Sequence, residues 1–361
     1  MTTRLQPPTD ATIESEAALR EITGSPSQAV VLKKTDRIDA KGRVFLANSP
    51  FVCVAIRRGD GLVALIARGG ASGFIQVIDD TTLLISDHAA AQLGDVAEDL
   101  AAQPSVGLLA LIPGMNETLR INGRAEVVDG PEPAIRLSLD EMFYHCPKAF
   151  VRSHLWEPAG DERHVTIESL GLDEEVRLPA LDVRCRALIQ RSPFLFLGTS
   201  RTDGNADVSP RGDPAGFVRI LDDRTLLLPD RRGNRLADSF CNILENPAAG
   251  LLFLVPGEPV VLRVQTRARV ITDPDLLHPL TVQGKTPNLG LWLDVEDAVL
   301  SHTSMFGRAR LWDAATQFDP ARVPTIGELM VSQLACVGRG DGLSAELIDA
   351  SLKQDAKDNL Y

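Results

Sequence analysis

The sequence predicts a mainly β protein with flanking helices, built from two copies of one antiparallel barrel-type module joined in tandem. Three observations lead there. First, Ser49-Pro50-Phe51 recurs as Ser192-Pro193-Phe194, and the same offset of 143 holds without a gap through Pro113-Gly114 and Pro256-Gly257. Across 49–114 against 192–257, 25 of 66 positions are identical, where chance gives roughly one in fifteen. Second, each copy reads as short apolar or alternating runs separated by turn residues. Third, the regular strand–helix alternation of a doubly wound parallel sheet is missing, and no G-x-G-x-x-G follows a strand, which argues against a dinucleotide fold.

The elements follow in order. Residues 1–160 form the first copy with a helical extension ahead of it, 161–180 a linker, 181–318 the second copy and 319–361 a helical tail. In the second copy FLFLGTS, GFVRIL, TLLLPD, GLLFLVPG and VLRVQTRARVI read as strands. One helix interrupts them, from Asn234 to Asn246, closed by Pro247, with a counterpart before Pro104. Residues 141–156 read as a helical segment after the first set of strands. A 13-residue insertion near 278–291 moves the offset to 156, which aligns Leu155-Trp156 with Leu311-Trp312.

Composition narrows the function. The net charge of −12 disfavours nucleic acid as a partner, because no basic stretch offsets it. No apolar run approaches the ~18 residues of a membrane span. The opening segment is polar and acidic without a signal-peptide core, and the five scattered cysteines lack C-x-x-C spacing. These features suggest a reducing, cytoplasmic setting and no metal site.

The two copies differ where chemistry is expected. The second reads Asp207-Val-Ser-Pro-Arg-Gly-Asp213 and then Asp230-Arg-Arg-Gly-Asn-Arg235. Planar guanidinium forks, a flexible glycine and free N–H groups at a helix start are what a phosphate dianion needs. Ser209, Arg211, Arg231, Arg232, Asn234 and Arg235 are the candidates. The first copy has Ile66, Arg68, His88, Ala89, Ala91 and Gln92 there, a set too poor in charge. An isolated charged loop would read as solvated, but here the surrounding residues match between copies while the loop chemistry does not.

A second difference runs the other way. The first copy ends His145-Cys-Pro-Lys148-Ala-Phe-Val-Arg152-Ser-His-Leu-Trp156, and on a helix Lys148, Arg152 and Trp156 share a face. The second copy has Ser301, Ser304, Arg308 and Trp312 in their places. Packed as a pseudo-twofold pair, the copies could build one complete composite site. The same spacing fits an ordinary surface helix with a basic face equally well.

The run from SPFLFLGTS to LLFLVPG, with its D-V-S-P-R-G-D and P-D-R-x-G-N-R motifs, resembles the pyridoxamine 5′-phosphate oxidase-like family of FMN-binding split barrels. HCPKAFVRSHLW, the GSPSQAVVLKKTDRID stretch and the VPTIGELMVSQ…NLY tail resemble other parts of one branch. The resemblance covers nearly the whole chain. It implies two six-stranded antiparallel split barrels forming an intrachain pseudo-dimer, with FMN in the groove between them. It also implies that Ser209, Arg211, Asn234 and Arg235 hold the FMN phosphate and that Asp213 sits near the ring or ribityl chain. Lys148 and Arg152 would approach the isoalloxazine or the substrate.

One FMN per chain is then expected, in an FMN-dependent oxidoreductase whose substrate and electron donor stay open. The alternatives are a flavin or tetrapyrrole carrier without turnover, or a deazaflavin-dependent reductase. Pyridoxamine phosphate oxidation itself has no substrate-phosphate motif to support it. No catalytic base is assigned; His145 and His154 lie in the right segment, but a lone histidine is more often structural. The chain is expected as a monomeric pseudo-dimer or as a homodimer of pseudo-dimers.

Overall fold

A computed structural model describes residues 5–26, 28–86, 94–128, 133–157, 175–319, 321–339 and 342–361. A two-residue strand, β1 (Thr12–Ile13), precedes two sheets. The first contains β2 (Phe51–Arg57), β3 (Val63–Gly69), β4 (Ile75–Val77), β5 (Thr82–Ser86), β6 (Ser105–Leu111), β7 (Thr118–Val128) and β8 (Ala134–His145). The short β9 (Val176–Leu178) follows. The second contains β10 (Phe194–Ser200), β11 (Ala206–Gly212), β12 (Arg219–Ile220), β13 (Thr225–Pro229), β14 (Ala248–Leu254), β15 (Val260–Ile271) and β16 (Gly290–His302). Around them lie α1 (Glu16–Thr23), α2 (Gln28–Leu32), α3 (Ala40–Asn48), α4 (Gly94–Ala102), α5 (Lys148–Ser153) and α6 (Val183–Arg191). They are followed by α7 (Asp238–Glu245), α8 (Pro274–Leu277), α9 (Met305–Ala309), α10 (Ile326–Cys336) and α11 (Ala345–Asp358).

The strand orders are β3-β2-β6-β7-β8-β5-β4 and β11-β10-β14-β15-β16-β13-β12, with β1 added on β15 and β9 on β16. All pairings are antiparallel, and the end strands of each path do not pair, so neither sheet closes among the described residues. Each sheet contains the six expected strands. Beside them are a two- or three-residue strand after a glycine turn (β4, and β12, which is all that forms of the strand read in GFVRIL) and two pieces from outside the repeat (β1, β9).

Equivalent positions do equivalent work. The long strands break register between Asn122 and Gly123 in the first sheet and between Gln265 and Thr266 in the second. Asp39 caps α3 and Asp182 caps α6, each accepting from backbone N–H groups of the first turn. Beyond the insertion the 156 offset holds: His154 and Arg310 end α5 and α9 in left-handed conformation, with φ of 49° and 50°.

Strands β6, β10 and β14 are buried at every residue, and β2 at all but its last, because they are covered on both faces. One face meets its own core, and the other meets the opposite repeat through Phe51, Phe150, Phe194, Phe196 and Phe306. The pairs Phe150–Phe194 and Phe306–Phe51 are pseudo-twofold mates, with centroids 4.8 and 5.8 Å apart. Glycines let the backbones meet. A Cβ on Gly107 would lie 2.4 Å from Ala206 O, and one on its mate Gly250 would lie 2.3 Å from Val63 O. Gly212 against Ala149 O (2.2 Å) and Gly69 against Met305 O (2.5 Å) form a second such pair.

The extensions cross over, which their order along the chain did not suggest. β1 pairs with β15 of the second sheet, and Leu19 of α1 is fully buried in the second core. Conversely Leu329 of α10 belongs to the first core, Lys41 pairs with Glu328 at 2.9 Å, and Gln333 Nε2 donates to Met142 O. Among the described residues no helix is long and apolar enough to cross a membrane, and no cluster of metal-ligating side chains occurs.

Two helix expectations are corrected. Residues 141–145 belong to β8 rather than to a helix, because Phe143 and Tyr144 pair with Arg120 and Leu119 across the sheet. The helix expected from Asn234 starts only at Asp238. Arg235 and Ala237 adopt φ of 60° and 59°, which no right-handed helix accommodates. His88, Ala89, Ala91 and Gln92, and the linker as far as residue 174, lie outside the described residues.

Candidate ligand-binding cleft

A cleft of about 580 Å³ opens on the seam between the repeats, within the size range of small-molecule sites. The second repeat supplies one wall. Ser209 and Arg211 stand on β11, placed by its pairing with β10, and the loop after β13 adds residues 230–237. Ser209 Oγ accepts a hydrogen bond from Ser239 Oγ at 3.0 Å. Asn234 Oδ1 accepts from Leu236 N at 3.1 Å, while its Nδ2 is buried with no partner among the described residues. The two left-handed residues, Arg235 and Ala237, each cost about 1 kcal/mol, and both line the cleft.

The first repeat supplies the facing wall through Arg120, His145, Cys146, Lys148 and Arg152. Arg120, on β7, is 1 % exposed and bridges the repeats. It pairs with Asp207, and with Asp238 at 3.3 Å, and its guanidinium lies over the Phe143 ring. Burial alone would raise the Asp207 pKa, but Arg120, Asn242 and Asn122 hold that carboxyl below its ordinary value.

Lys148 and Arg152 are 4 % and 7 % exposed, which excludes the reading of a solvated basic face. Lys148 Nζ pairs with Asp355 at 2.7 Å. Arg152 Nε donates to Gly212 O at 3.0 Å and its Nη1 to Leu360 O at 2.8 Å. Trp156 does not share their helical face, because α5 ends at Ser153; its Nε1 donates to Met115 O instead.

Asp213 departs from expectation. It is fully buried beneath the wall instead of lining the cleft. Its carboxylate takes Arg231 Nε at 2.6 Å and stands 3.9 Å from Arg152 Nε. Arg231 is further committed by donating to Leu280 O at 2.8 Å. The role of Asp213 is thus to fix two cations, one from each repeat. Tyr361 also lies against it, in cation–π contact with Arg152 and Arg231. Burial and the Asp213 charge push its phenol up to about 12.

Eight arginines and lysines line the cleft against two carboxylates, Asp230 and Asp238, in a chain of net charge −12. The side chains of Arg211, Arg232 and Arg235 make no hydrogen bond or ion pair among the described residues; Arg211 rests over the Phe240 ring, 5.7 Å from its centroid. Burial raises the Asp230 pKa, an effect opposed by Arg211 and Arg152. Burial, with Arg120 and Lys33 nearby, holds His145 well below its ordinary 6.5, so this cleft-lining imidazole is neutral. His154 is exposed, pairs with Glu157 and is not part of the cleft.

All nine predicted cofactor residues except Asp213 line this one cleft. Sequence reasoning missed Tyr361, Asp355, Arg120 and Lys285. The one-sided insertion near 278–291 marked the segment that carries Lys285. Nothing in spacing marked Arg120, whose repeat-two counterpart Arg263 is only half-buried and paired with Glu175. On the mirror-related side Arg308 Nε donates to Gly69 O at 3.1 Å, as Arg152 does to Gly212 O, but Ser301 and Ser304 replace His145 and Lys148. Arg68 there is buried, with Nη1 donating to Ala67 O.

The model of the pyridoxamine 5′-phosphate oxidase family matches residues 38–152 and 181–322. No curated protein matches the chain. Among solved structures it is similar to a putative pyridoxamine 5′-phosphate oxidase from Lactobacillus delbrueckii, with 22% identity and TM-score 0.28 over 35% of this chain and 98% of that one. HupZ of Group A Streptococcus gives 17% identity and TM-score 0.26 over 30% and 84%. General Stress Protein 26 from Bacillus anthracis gives 17% and 0.25 over 30% and 83%.

Proposed function

Since the chain belongs to the pyridoxamine 5′-phosphate oxidase family, we propose that the cleft between its repeats takes one FMN per chain and that the protein is an FMN-dependent oxidoreductase. The observation that carries this reading is the cleft's charge: Asp355, Asp213 and Asp207 match Lys148, Arg231, Arg152 and Arg120 from behind the walls, but Arg211, Arg232 and Arg235 make no ion pair among the described residues, in a chain that is acidic as a whole. A phosphate dianion suits that surplus.

The residues fit the group. Among the described residues the side chains of Arg211 and Arg235 make no hydrogen bond or ion pair and Asn234 Nδ2 lacks an acceptor, and Ser209 stands beside them on the same wall. These four would hold the phosphate. When bound, the flavin would supply the redox chemistry. Lys148 and Arg152, held by Asp355 and Asp213, place two fixed cationic donors on the facing wall, which favours a ligand that gains negative charge. His145 adds a hydrogen-bonding group without adding charge. On the mirror-related side serines replace the lysine and the histidine, which supports a single site.

The test is FMN titration of wild type and Arg211→Ala. A hydrogen-bonded charge pair contributes about 1.5–3 kcal/mol, so affinity should fall by about one to two orders of magnitude. Wild type that takes up no FMN, or equal affinity in the variant, contradicts the reading. Turnover with a reduced nicotinamide and an acceptor separates an oxidoreductase from a carrier.

A further inference from the structure

The phosphate loop is held in an unusual shape by a residue 215 positions away. Arg20, on α1, donates from Nη1 to Arg235 O at 2.9 Å and from Nη2 to Leu236 O at 3.0 Å. These carbonyls lie within the stretch where Arg235 and Ala237 take left-handed conformations. The N-cap of α7, Ala237, offers no side-chain hydrogen bond of its own to set the loop.

Arg20 is itself fixed. Glu16 accepts from its Nε and Nη2 at 3.2 Å, Leu19 is fully buried in the second core, and Thr272 N donates to Ala11 O just ahead of α1. Gly24 ends the helix at φ 68°, and a Cβ there would lie 3.4 Å from Arg235 Nη1. The helix therefore braces the backbone of Arg235, its end passes beside that residue's guanidinium, and Ile22 and Thr23 complete the cleft rim.

We propose that Arg20 is a positioning residue for the phosphate end of the site: it clamps the Arg235 and Leu236 carbonyls and so holds the loop in the shape that presents Asn234 and Arg235. This rests on the flavin reading above. Arg20 is not among the residues that line the cleft; it acts through the loop, so its effect is confined to ligands that carry the phosphate.

The experiment compares FMN with riboflavin, which lacks the phosphate, on wild type, Arg20→Met and Arg20→Lys. Met keeps the aliphatic stem and removes the clamp. FMN affinity should fall about tenfold or more in Arg20→Met, riboflavin affinity should change less than twofold, and Arg20→Lys should recover part of the loss. Unchanged FMN affinity in Arg20→Met overturns the proposal, as does equal weakening of both ligands, which is the signature of general destabilisation. Wild type that binds neither ligand overturns the flavin reading itself, and is distinguishable because it needs no variant.

Discussion

Gly212 joins the two walls of the cleft, and adding one carbon there tests whether the inter-repeat contact builds the site. Gly212→Ala places a Cβ 2.2 Å from Ala149 O. Ordinary contact begins near 3.4 Å, so β11 and α5 must part by about 1 Å, an overpacking that costs about 1–3 kcal/mol. The Arg152 Nε to Gly212 O bond is stretched as well, adding about 1 kcal/mol. With an unfolding entropy of about 2.1 cal/mol/K per residue, the sum lowers the melting midpoint of a 361-residue chain by about 3–5 °C. Because α5 carries Lys148 and Arg152 while β11 carries Ser209 and Arg211, FMN affinity should drop by about tenfold as well. Gly307→Ala is the control. It lies in α9 with nothing within 4 Å of its Cβ, and in a helix the change is neutral or stabilising by up to about 1 kcal/mol. Thermal melts and flavin titration of both variants read the difference. Gly212→Ala that melts and binds like wild type would refute the reasoning.

Two further outcomes follow from buried charge. Asp213→Asn keeps the shape but leaves Arg231 and Arg152 without their counter-ion; a urea melt should show a loss of about 3 kcal/mol, and an unchanged midpoint would deny Asp213 that role. His145 is neutral in the folded chain and has its folded pKa well below 6.5. The unfolded chain therefore binds the extra proton below pH 6.5, so stability falls as pH drops through that value, by at most about 1.4 kcal/mol per unit. Melts from pH 7.5 to 5.0 should show His145→Gln with a shallower decline than wild type, and parallel curves would contradict the assignment.

The repeat made the strands legible because its identities fall on turns and strand edges such as Asp203-Gly204 and Pro256-Gly257, which fix where runs start and stop. Helix starts were less legible. The run from Asn234 has helical composition, but tertiary bonds from Arg20 hold Arg235 and Leu236 out of the helix, and a local reading cannot register a partner 215 residues distant. The same limit hid Asp213, whose motif position suggested ligand contact while its burial beneath Arg231 and Arg152 makes it an anchor. Lys148 was legible through the contrast with Ser304, and Arg152 through its spacing of four from Lys148. Their partners Asp355, Leu360 and Tyr361 were not, since the tail that carries them has no counterpart after the first repeat.

The central claim is a single composite site, and the flavin stoichiometry of the purified chain tests it most directly. Protein saturated with FMN, freed of excess and measured for chain and flavin together should give one FMN per 39.0 kDa chain. Two per chain would show that the mirror-related side binds despite its serines, and none would show that the cleft is not a flavin site.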